Sequence, residues 1–152
     1  MNGHVGVLEW LIANGCKSFS HIFSTAALHG QLEVLKWGKS KGYEYNRNDT
    51  KICHHAAIGG HLEILKWARA NGCGWDVQTC ANAANGGHLE VLQWARCNGC
   101  EWNEETTLMA ALNGHWEVLK WAIANGCPWD QNNLLRYRVD VRNWLEEHGH
   151  LS

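Results

Sequence analysis

The sequence predicts an all-α fold, a solenoid of repeated helix–turn–helix units joined by short loops. Two observations lead to this prediction. A stretch that begins Gly-His and ends with Trp followed by Asp or Asn occurs at residues 60–76, 87–103 and 114–130, so its period is 27 residues. Each copy also joins one long apolar segment to one short segment that contains an alanine pair. A fixed period of this length is typical of stacked repeats, in which each unit contacts only its neighbours.

The longer helix of each unit is predicted to begin after the Gly-His dipeptide. On a helical wheel of about 100° per residue, its apolar side chains cover more than half of the circumference. The copy at residues 60–76 illustrates this with Leu62, Ile64, Leu65, Trp67 and Ala68. A helix that is apolar over so wide an arc is expected to pack against neighbours on several sides. The Asn-Gly dipeptide that follows supplies the left-handed glycine that commonly ends a helix.

The short helix of each unit is predicted to begin after an N-cap residue. Asp76, Asn103 and Asp130 each follow an aromatic residue, and all three side chains are good helix N-caps. Counting back from Gly60 places Asp49 at the equivalent position. Each short helix carries two adjacent alanines, which would let neighbouring helices approach closely. The pairs are Ala26–Ala27, Ala56–Ala57, Ala83–Ala84 and Ala110–Ala111.

The repeat frame covers residues 1–152 as a single array. Its predicted units are residues 1–18 (partial), 19–48, 49–75, 76–102, 103–129 and a C-terminal cap at 130–152. The unit 19–48 is longer because Asn46–Asn48 extends its last loop. The first unit has no short helix before its long one, so the apolar face of Val5–Leu11 is predicted to be uncovered. The last unit keeps the long-helix spacing at Val141–Gly149 behind a polar approach, as expected of a terminal capping unit.

The run Ala56–Leu65 resembles the junction between the two helices of an ankyrin repeat, and His54 falls where the ankyrin Thr-Pro-Leu-His motif has its histidine. The resemblance recurs along nearly the whole chain, from Gly3 to Gly149. The unit is about six residues shorter than the usual ankyrin repeat. The resemblance therefore implies an ankyrin-like solenoid with reduced inter-repeat loops. The sequence of Gly126–Asp130 is similar to repeat sequences in large ankyrin-like families of giant viruses, algae and protists.

The composition argues against two classes of protein, those that bind nucleic acid and those that span a membrane. The chain has 13 basic and 15 acidic residues and a net charge of −2, without the basic stripe that nucleic-acid binding requires. No apolar run approaches the roughly 20 residues of a membrane span, so we expect no membrane partner.

The cysteines indicate a reducing compartment. Four of the seven, Cys16, Cys73, Cys100 and Cys127, share one repeat position. Equivalent positions of stacked helices lie about 10 Å apart, beyond the roughly 7 Å that a disulfide allows. We therefore expect reduced, buried thiols and an intracellular location, most simply the cytoplasm.

Two cysteine patterns resemble chemical sites. Cys97 and Cys100 have the C-x-x-C spacing of redox and zinc sites, but a zinc site needs four ligands and no second such pair occurs. Cys53 stands beside His54 and His55 like a nucleophile next to a base, yet adjacent residues of a helix point about 100° apart. We favour packing for both patterns and predict no catalytic residue, metal site or cofactor. A small thiol- or zinc-dependent enzyme is the least favoured alternative.

Histidines and tryptophans recur once per unit. His61, His88 and His115 are predicted to bond backbone groups at the interhelical turn, since residues about 10 Å apart cannot share one metal ion. Trp116 replaces a leucine of the other units and is expected to fill a gap near the C-terminal cap. The remaining aromatic positions are predicted to be core: Trp37, Trp67, Trp94, Trp121, Tyr45, Trp75, Trp102 and Trp129.

Positions that vary between units can store specificity for a partner. In an ankyrin-like stack these positions face the concave surface, and the resemblance places nine residues there. They are Leu28, His29, Thr50, Ile58, Val77, Asn85, Glu104, Leu112 and Asn113. Leu28, Ile58 and Leu112 would form an apolar stripe there, unless neighbouring units cover them. The sequence thus predicts a non-enzymatic scaffold that binds a protein partner of unknown identity, with contact through Val5–Leu11 as a further option. A structural subunit of a larger assembly is the alternative.

Overall fold

The computed structural model describes residues 6, 9–10, 13, 19–45, 48–137 and 139–149. Within these residues all regular secondary structure is α-helical. The chain divides into two compact units, Met1–Trp75 and Asp76–Ser152. The boundary between them coincides with the predicted boundary between repeats 49–75 and 76–102. Each unit is described by itself below.

The first unit contains two helix pairs. Helix α1 (Phe19–Leu28) pairs with α2 (Leu32–Ser40), and α3 (Lys51–Ile58) pairs with α4 (Leu62–Ala70). The first members of the two pairs, α1 and α3, pack against each other. Each pair is thus the predicted helix–turn–helix, and consecutive pairs contact through their first helices.

The second unit repeats this arrangement with three pairs. In chain order its helices are α5 (Val77–Asn85), α6 (Leu89–Cys97), α7 (Glu104–Leu112), α8 (Trp116–Ala124), α9 (Gln131–Tyr137) and α10 (Val139–Glu147). Helix α5 packs against both α6 and α7, and α7 packs against both α8 and α9. The first helices of the three pairs therefore form one layer within this unit.

The alanine pairs explain why the first helices lie so close together. Ala56 and Ala57 in α3, and Ala83 and Ala84 in α5, are all completely buried. A methyl group keeps neighbouring backbones near one another, and alanine loses no side-chain entropy when it is ordered. The prediction drawn from the alanine pairs is confirmed.

The long helices supply the larger core side chains. Leu65 and Leu92 are fully buried, and Ile64 and Val91 nearly so. Each helix ends at a glycine with positive φ, as at Gly72 (+88°), where a side chain would be strained. The amide of the next residue, Cys73, then donates to Ala68 O at 3.0 Å. This 6→1 bond makes the helix end a Schellman motif, and the left-handed glycine that the Asn-Gly dipeptides predicted is confirmed.

The tryptophans lie at the edge of the core, although the sequence predicted them within it. Trp37, Trp67, Trp94 and Trp121 are only partly buried. Trp67 packs edge-on against Tyr45 of the preceding repeat at 5.3 Å between ring centroids, and Trp102 does the same with Trp121 at 5.7 Å. Hydrophobic periodicity indicates which way a side chain faces but not how deeply it is buried, which explains the difference.

The tryptophans that follow the long helices are also only half-buried. The guanidinium of Arg69 lies 4.2 Å from the ring centroid of Trp75, and Arg96 lies at the same distance from Trp102. An arginine thus covers one face of both indoles, an arrangement that contributes about 0.5–1 kcal/mol at an exposed site. The prediction that Trp75, Trp102 and Trp129 are core residues is wrong in degree, whereas Tyr45 is buried as predicted.

Three of the four predicted N-caps are confirmed. Asp76 accepts from Gln78 N at 3.0 Å, Asn103 from Glu105 N at 3.2 Å and Asp130 from Asn132 N at 2.9 Å. The fourth prediction, that Asp49 caps α3, is wrong. Thr50 occupies the cap position of α3 in a helical conformation (φ −85°, ψ −12°) and makes no side-chain cap bond. Asp76 and Asn103 are instead extended, the backbone conformation that aims a cap side chain at the first amides.

The predictions for the first and last repeats have different outcomes. In the C-terminal unit Val141 and Leu145 of α10 are buried, and Trp144 stacks on Trp116 at 5.9 Å with 16° between the ring planes. Trp116 therefore fills space near the C-terminal cap, as predicted. At the other end Glu9, Trp10 and Ala13 are helical. The predicted face of Val5, Val7, Leu8 and Leu11 lies outside the described residues, as do Cys16 and most of the predicted loop extension, Asn46 and Arg47.

An aromatic cluster replaces the usual core in the first helix pair. Phe23 packs against Tyr43 at 4.6 Å and Tyr45 at 5.8 Å, and Tyr45 donates to Leu35 O at 2.9 Å. Phe23 lies at the repeat position of Cys53 and Cys80, and Gly38 of α2 lies where the other long helices carry alanine. A Cβ on Gly38 would come within 2.4 Å of the Phe23 ring. The large phenylalanine therefore requires the small glycine.

Candidate functional site

The nine residues predicted to contact a partner lie at both ends of the short helices. Leu28, Ile58, Asn85 and Leu112 are the last residues of α1, α3, α5 and α7, and His29 and Asn113 follow two of them. Thr50, Val77 and Glu104 are at the other ends. Helices of 8 to 10 residues are about 12–15 Å long, so the structure separates the set into two groups.

The apolar residues of this set are neither fully exposed nor buried. Leu28, Ile58 and Leu112 are all partly exposed, as are Thr50 and Val77. His29, Glu104 and Asn113 are exposed. Part of each of these apolar side chains is therefore available to a partner.

A histidine links consecutive helix pairs within each unit. His61, which precedes α4, uses Nε2 to donate to Leu28 O at 3.0 Å, and His115, which precedes α8, donates to Asn85 O at 3.1 Å. Both acceptors are last-turn carbonyls, which a helix leaves unsatisfied. The predicted structural role at the interhelical turn is confirmed for these two histidines.

The glycines of the turn make room for the imidazole rings. Gly30 and Gly87 both have φ of +75°, and a Cβ on Gly30 would lie 2.7 Å from Cε1 of His61. A Cβ on Gly87 would lie 2.5 Å from Nδ1 of His115. Each glycine therefore meets two requirements, a left-handed backbone and direct contact with the histidine of the following pair.

The repeat cysteines join the two ends of a helix pair. Cys100, which follows α6, donates its S–H to Asp76 O at 3.2 Å, and Cys127, which follows α8, donates to Asn103 O at 3.4 Å. Asp76 and Asn103 are the N-caps of α5 and α7, so each thiol bonds the residue that begins its own pair. Sequence spacing identified the buried position but not this hydrogen bond.

Burial keeps these thiols protonated. Desolvation raises the pKa of Cys73 to about 12 and that of Cys127 to about 11, with Asp49 adding to the shift at Cys73. The pKa of Cys80 is also raised, by its hydrogen bond with Cys100 and by burial. A thiol nucleophile needs a lowered pKa and access to solvent. These buried thiols therefore have the properties of packing residues.

The two chemical patterns of the sequence are not assembled into sites. Cys97 is exposed while Cys100 is buried, so the C-x-x-C thiols lie in different environments. Cys53 is buried, and His55 directs Nδ1 to Lys51 O of its own helix at 2.7 Å. Among the residues that the structure describes, no group of three or more histidine, cysteine or acidic side chains is placed to hold a metal ion.

A groove in the second unit was not predicted. It has a volume of about 350 Å³ and is lined by Gly87, Leu89, Gly114, His115, Trp116, Glu117 and Val118. It lies along the first turns of α6 and α8, next to the histidine link. The sequence signal was the replacement of leucine by tryptophan at position 116, which we interpreted as packing alone.

No protein-family model matches the sequence, and no curated protein matches it. Over the described part of the chain, none of the helices has the length and apolar character needed to cross a membrane. The case for a function therefore depends on the repeat and its geometry.

Proposed function

We propose that this chain is an ankyrin-like repeat solenoid that acts as a non-enzymatic scaffold and binds a protein partner. The observation that carries the proposal is the repeated link between helix pairs. The same histidine-to-carbonyl bond recurs in both compact units at 3.0 Å and 3.1 Å, over a glycine of identical φ. Links of one geometry in both units support a single array across residues 1–152.

Such links favour binding because they fix the backbone that carries the variable side chains. Leu28 and Asn85 each end a short helix whose last carbonyl accepts from the histidine of the next pair. The backbone that carries these residues is therefore held before a partner arrives. A surface that is already ordered loses less conformational entropy on association, which raises affinity without adding contacts.

The proposed contact surface comprises the ends of the short helices. Its apolar residues are Leu28, Ile58 and Leu112, each partly exposed. Scattered apolar residues are common on protein surfaces, but an apolar residue at the same variable position in three of four repeats, with Asn85 in the remaining one, is typical of an interaction surface. In the array that we propose, these three residues form a stripe on the concave side.

A capture experiment tests this proposal. The variant Leu28→Gln/Ile58→Gln/Leu112→Gln is compared with the wild type as bait in a quantitative pull-down from cell extract, with partners counted by mass spectrometry. Lys36→Gln/Lys66→Gln/Lys120→Gln is the matched control, because it also changes three residues of the helix pairs but lies on the long helices. We expect the control to retain the partners and the apolar variant to lose them. Equal recovery by both variants would discard the proposed surface.

A structural subunit of a larger assembly is the second candidate. Trp10 is 64% exposed, the most exposed large apolar side chain among the described residues. Beside it, Glu9, Ala13, Trp37 and Lys41 line a groove of about 220 Å³. Analytical ultracentrifugation of wild type and Trp10→Ser distinguishes the two roles. An assembly that dissociates on substitution would favour the subunit, and an unchanged monomer would favour the scaffold.

The thiols support two further parts of the proposal, the non-enzymatic role and the intracellular location. Cys73 and Cys127 have raised pKa values and hold no disulfide. Protonated, buried thiols favour a packing role over catalysis, and reduced cysteines favour an intracellular compartment such as the cytoplasm.

A further inference from the structure

We propose that the surface from the Asn85–Asn113 amide pair to the groove at Trp116 binds an extended, positively charged peptide segment of a partner protein. This inference deepens the proposed scaffold function by naming the chemistry of the partner, and it rests on that function for its biological meaning. Three observations within the second unit carry it, namely the groove, the amide pair and the charge.

The groove presents a fixed aromatic surface. Trp116 occupies a position that is leucine in three other repeats, at 32, 62 and 89. Its ring is held by Trp144, which stacks on it at 5.9 Å and in turn stacks on His148 at 4.4 Å. With Leu89 it lines a groove of about 350 Å³. An immobilised, partly exposed indole beside an aliphatic side chain suits proline or the aliphatic part of an arginine.

The amide pair next to the groove matches one peptide unit. Asn113 Nδ2 donates to Asn85 Oδ1 at 2.8 Å and to Met109 O at 2.9 Å, which uses both of its hydrogens. Asn113 Oδ1 and Asn85 Nδ2 have no hydrogen-bond partner among the described residues. They offer one acceptor and one donor, the complement of the N–H and C=O of a backbone. Asn113 is three residues before Trp116, within reach of the same bound segment.

The charge of this unit favours a cationic partner. Residues 76–152 contain ten acidic and five basic residues, a net charge of −5, whereas residues 1–75 contain five acidic and eight basic, a net charge of +3. Glu117 lines the groove and is exposed. Exposed Glu90 follows Leu89, and Gln93 replaces the lysine that pairs with Glu63 at 2.9 Å in the first unit. Acidic residues around an aromatic groove attract arginine or lysine and raise association rates.

Peptide titration tests the inference. Three fluorescein-labelled peptides of about ten residues, in which proline alternates with arginine, glutamate or serine, are titrated with the intact chain, and binding is followed by fluorescence anisotropy. We expect the arginine peptide to bind most tightly and to weaken as salt is raised. Trp116→Leu should reduce its affinity about tenfold, since hot-spot aromatic contacts dominate binding. Equal binding of the three peptides, or no binding of any, would overturn the inference.

Matched variants separate binding from folding. Glu117→Gln should weaken the arginine peptide, whereas Glu63→Gln, at the same repeat position in the first unit, should not; equal effects would overturn the inference. Circular dichroism checks that each variant folds. In one outcome the Leu28/Ile58/Leu112 variant loses the captured partners, whereas Trp116→Leu and Glu117→Gln keep the partners and bind the peptide as wild type does. The scaffold function then stands and this inference fails. If wild type captures no partner but binds the arginine peptide through Trp116, the scaffold function fails and the peptide site stands.

Discussion

Replacing Gly38 with alanine should destabilise the first unit, although the same change in a helix interior normally stabilises. Gly38 lies within α2, where Gly→Ala gains about 1 kcal/mol from helix propensity. Here the added Cβ would lie 2.4 Å from Cζ of Phe23 and 3.1 Å from the Tyr45 hydroxyl. Phe23 and Tyr45 are both buried, so the ring cannot swing away freely. Overpacking of this kind costs about 1–3 kcal/mol, and a separation of only 2.4 Å places the cost at the upper end of that range. We expect a net loss of about 1–2 kcal/mol.

A double-mutant cycle identifies the cause. Phe23→Leu removes the ring atoms that a Cβ at position 38 would meet. In that background only the 3.1 Å approach to the Tyr45 hydroxyl remains. Gly38→Ala should then stabilise by at most about 1 kcal/mol, which gives a coupling energy of up to about 2–3 kcal/mol between the two positions. Urea denaturation followed by far-ultraviolet circular dichroism measures all four proteins. If Gly38→Ala stabilised the wild-type background, or had the same effect in both backgrounds, the steric argument would be refuted.

Three further predictions use the same denaturation assay. His115→Ala should cost about 1–2 kcal/mol because it leaves Asn85 O without its donor, and exposed His29→Ala should cost little. Asp76→Ala should cost about 1 kcal/mol because it removes a capping box, and equal losses in Asp49→Ala, which has no cap bond to lose, would contradict this. Burial raises the pKa of Cys73 and Cys127 in the folded protein above the value of 9.0 in the unfolded chain, so the stability that they contribute is present below pH 9 and is lost as pH rises towards 11–12. At pH 10 the expected loss is about 1.4 kcal/mol per thiol. A Cys127→Ala variant that loses as much stability between pH 8 and pH 10 as wild type would disprove this.

The sequence could predict the helix pairs because local chemistry decides where they begin and end. Gly72 must adopt a positive φ where the helix ends, and Asp76 must cap the next one, so both features depend on neighbours in the chain. Asp49 shows the limit of this reasoning. It occupies the equivalent position in the frame, but the backbone at Thr50 is already helical and the cap bond is not made.

Features that depend on neighbouring units were harder to predict. The half-burial of Trp67 follows from an edge contact with Tyr45, and periodicity along one helix does not contain that information. One signal in the sequence was nevertheless available. Phe23 and Gly38 depart together from the cysteine and alanine of the other repeats, which indicates that one compensates for the size of the other.

The contact surface stays a prediction. The structure places the chosen residues at the ends of the short helices but in two groups, because such a helix separates its ends by about 12 Å. The groove at Trp116 was missed because a single aromatic substitution was assigned to packing. Charge counted separately for the two halves of the chain would have drawn attention to the acidic second half.

Excision of one repeat tests the proposed array most directly. Removing residues 76–102, 27 residues, joins Trp75 to Asn103 in the frame that the repeats at 49–75 and 103–129 share. Because a repeat array is held together by contacts between neighbours, we expect the shortened chain to keep its helical content per residue and one cooperative unfolding transition. Removing residues 76–95 instead breaks the frame and should abolish cooperative unfolding. Loss of cooperative unfolding after the in-frame excision, or equal behaviour of the two deletions, would contradict a repeat array.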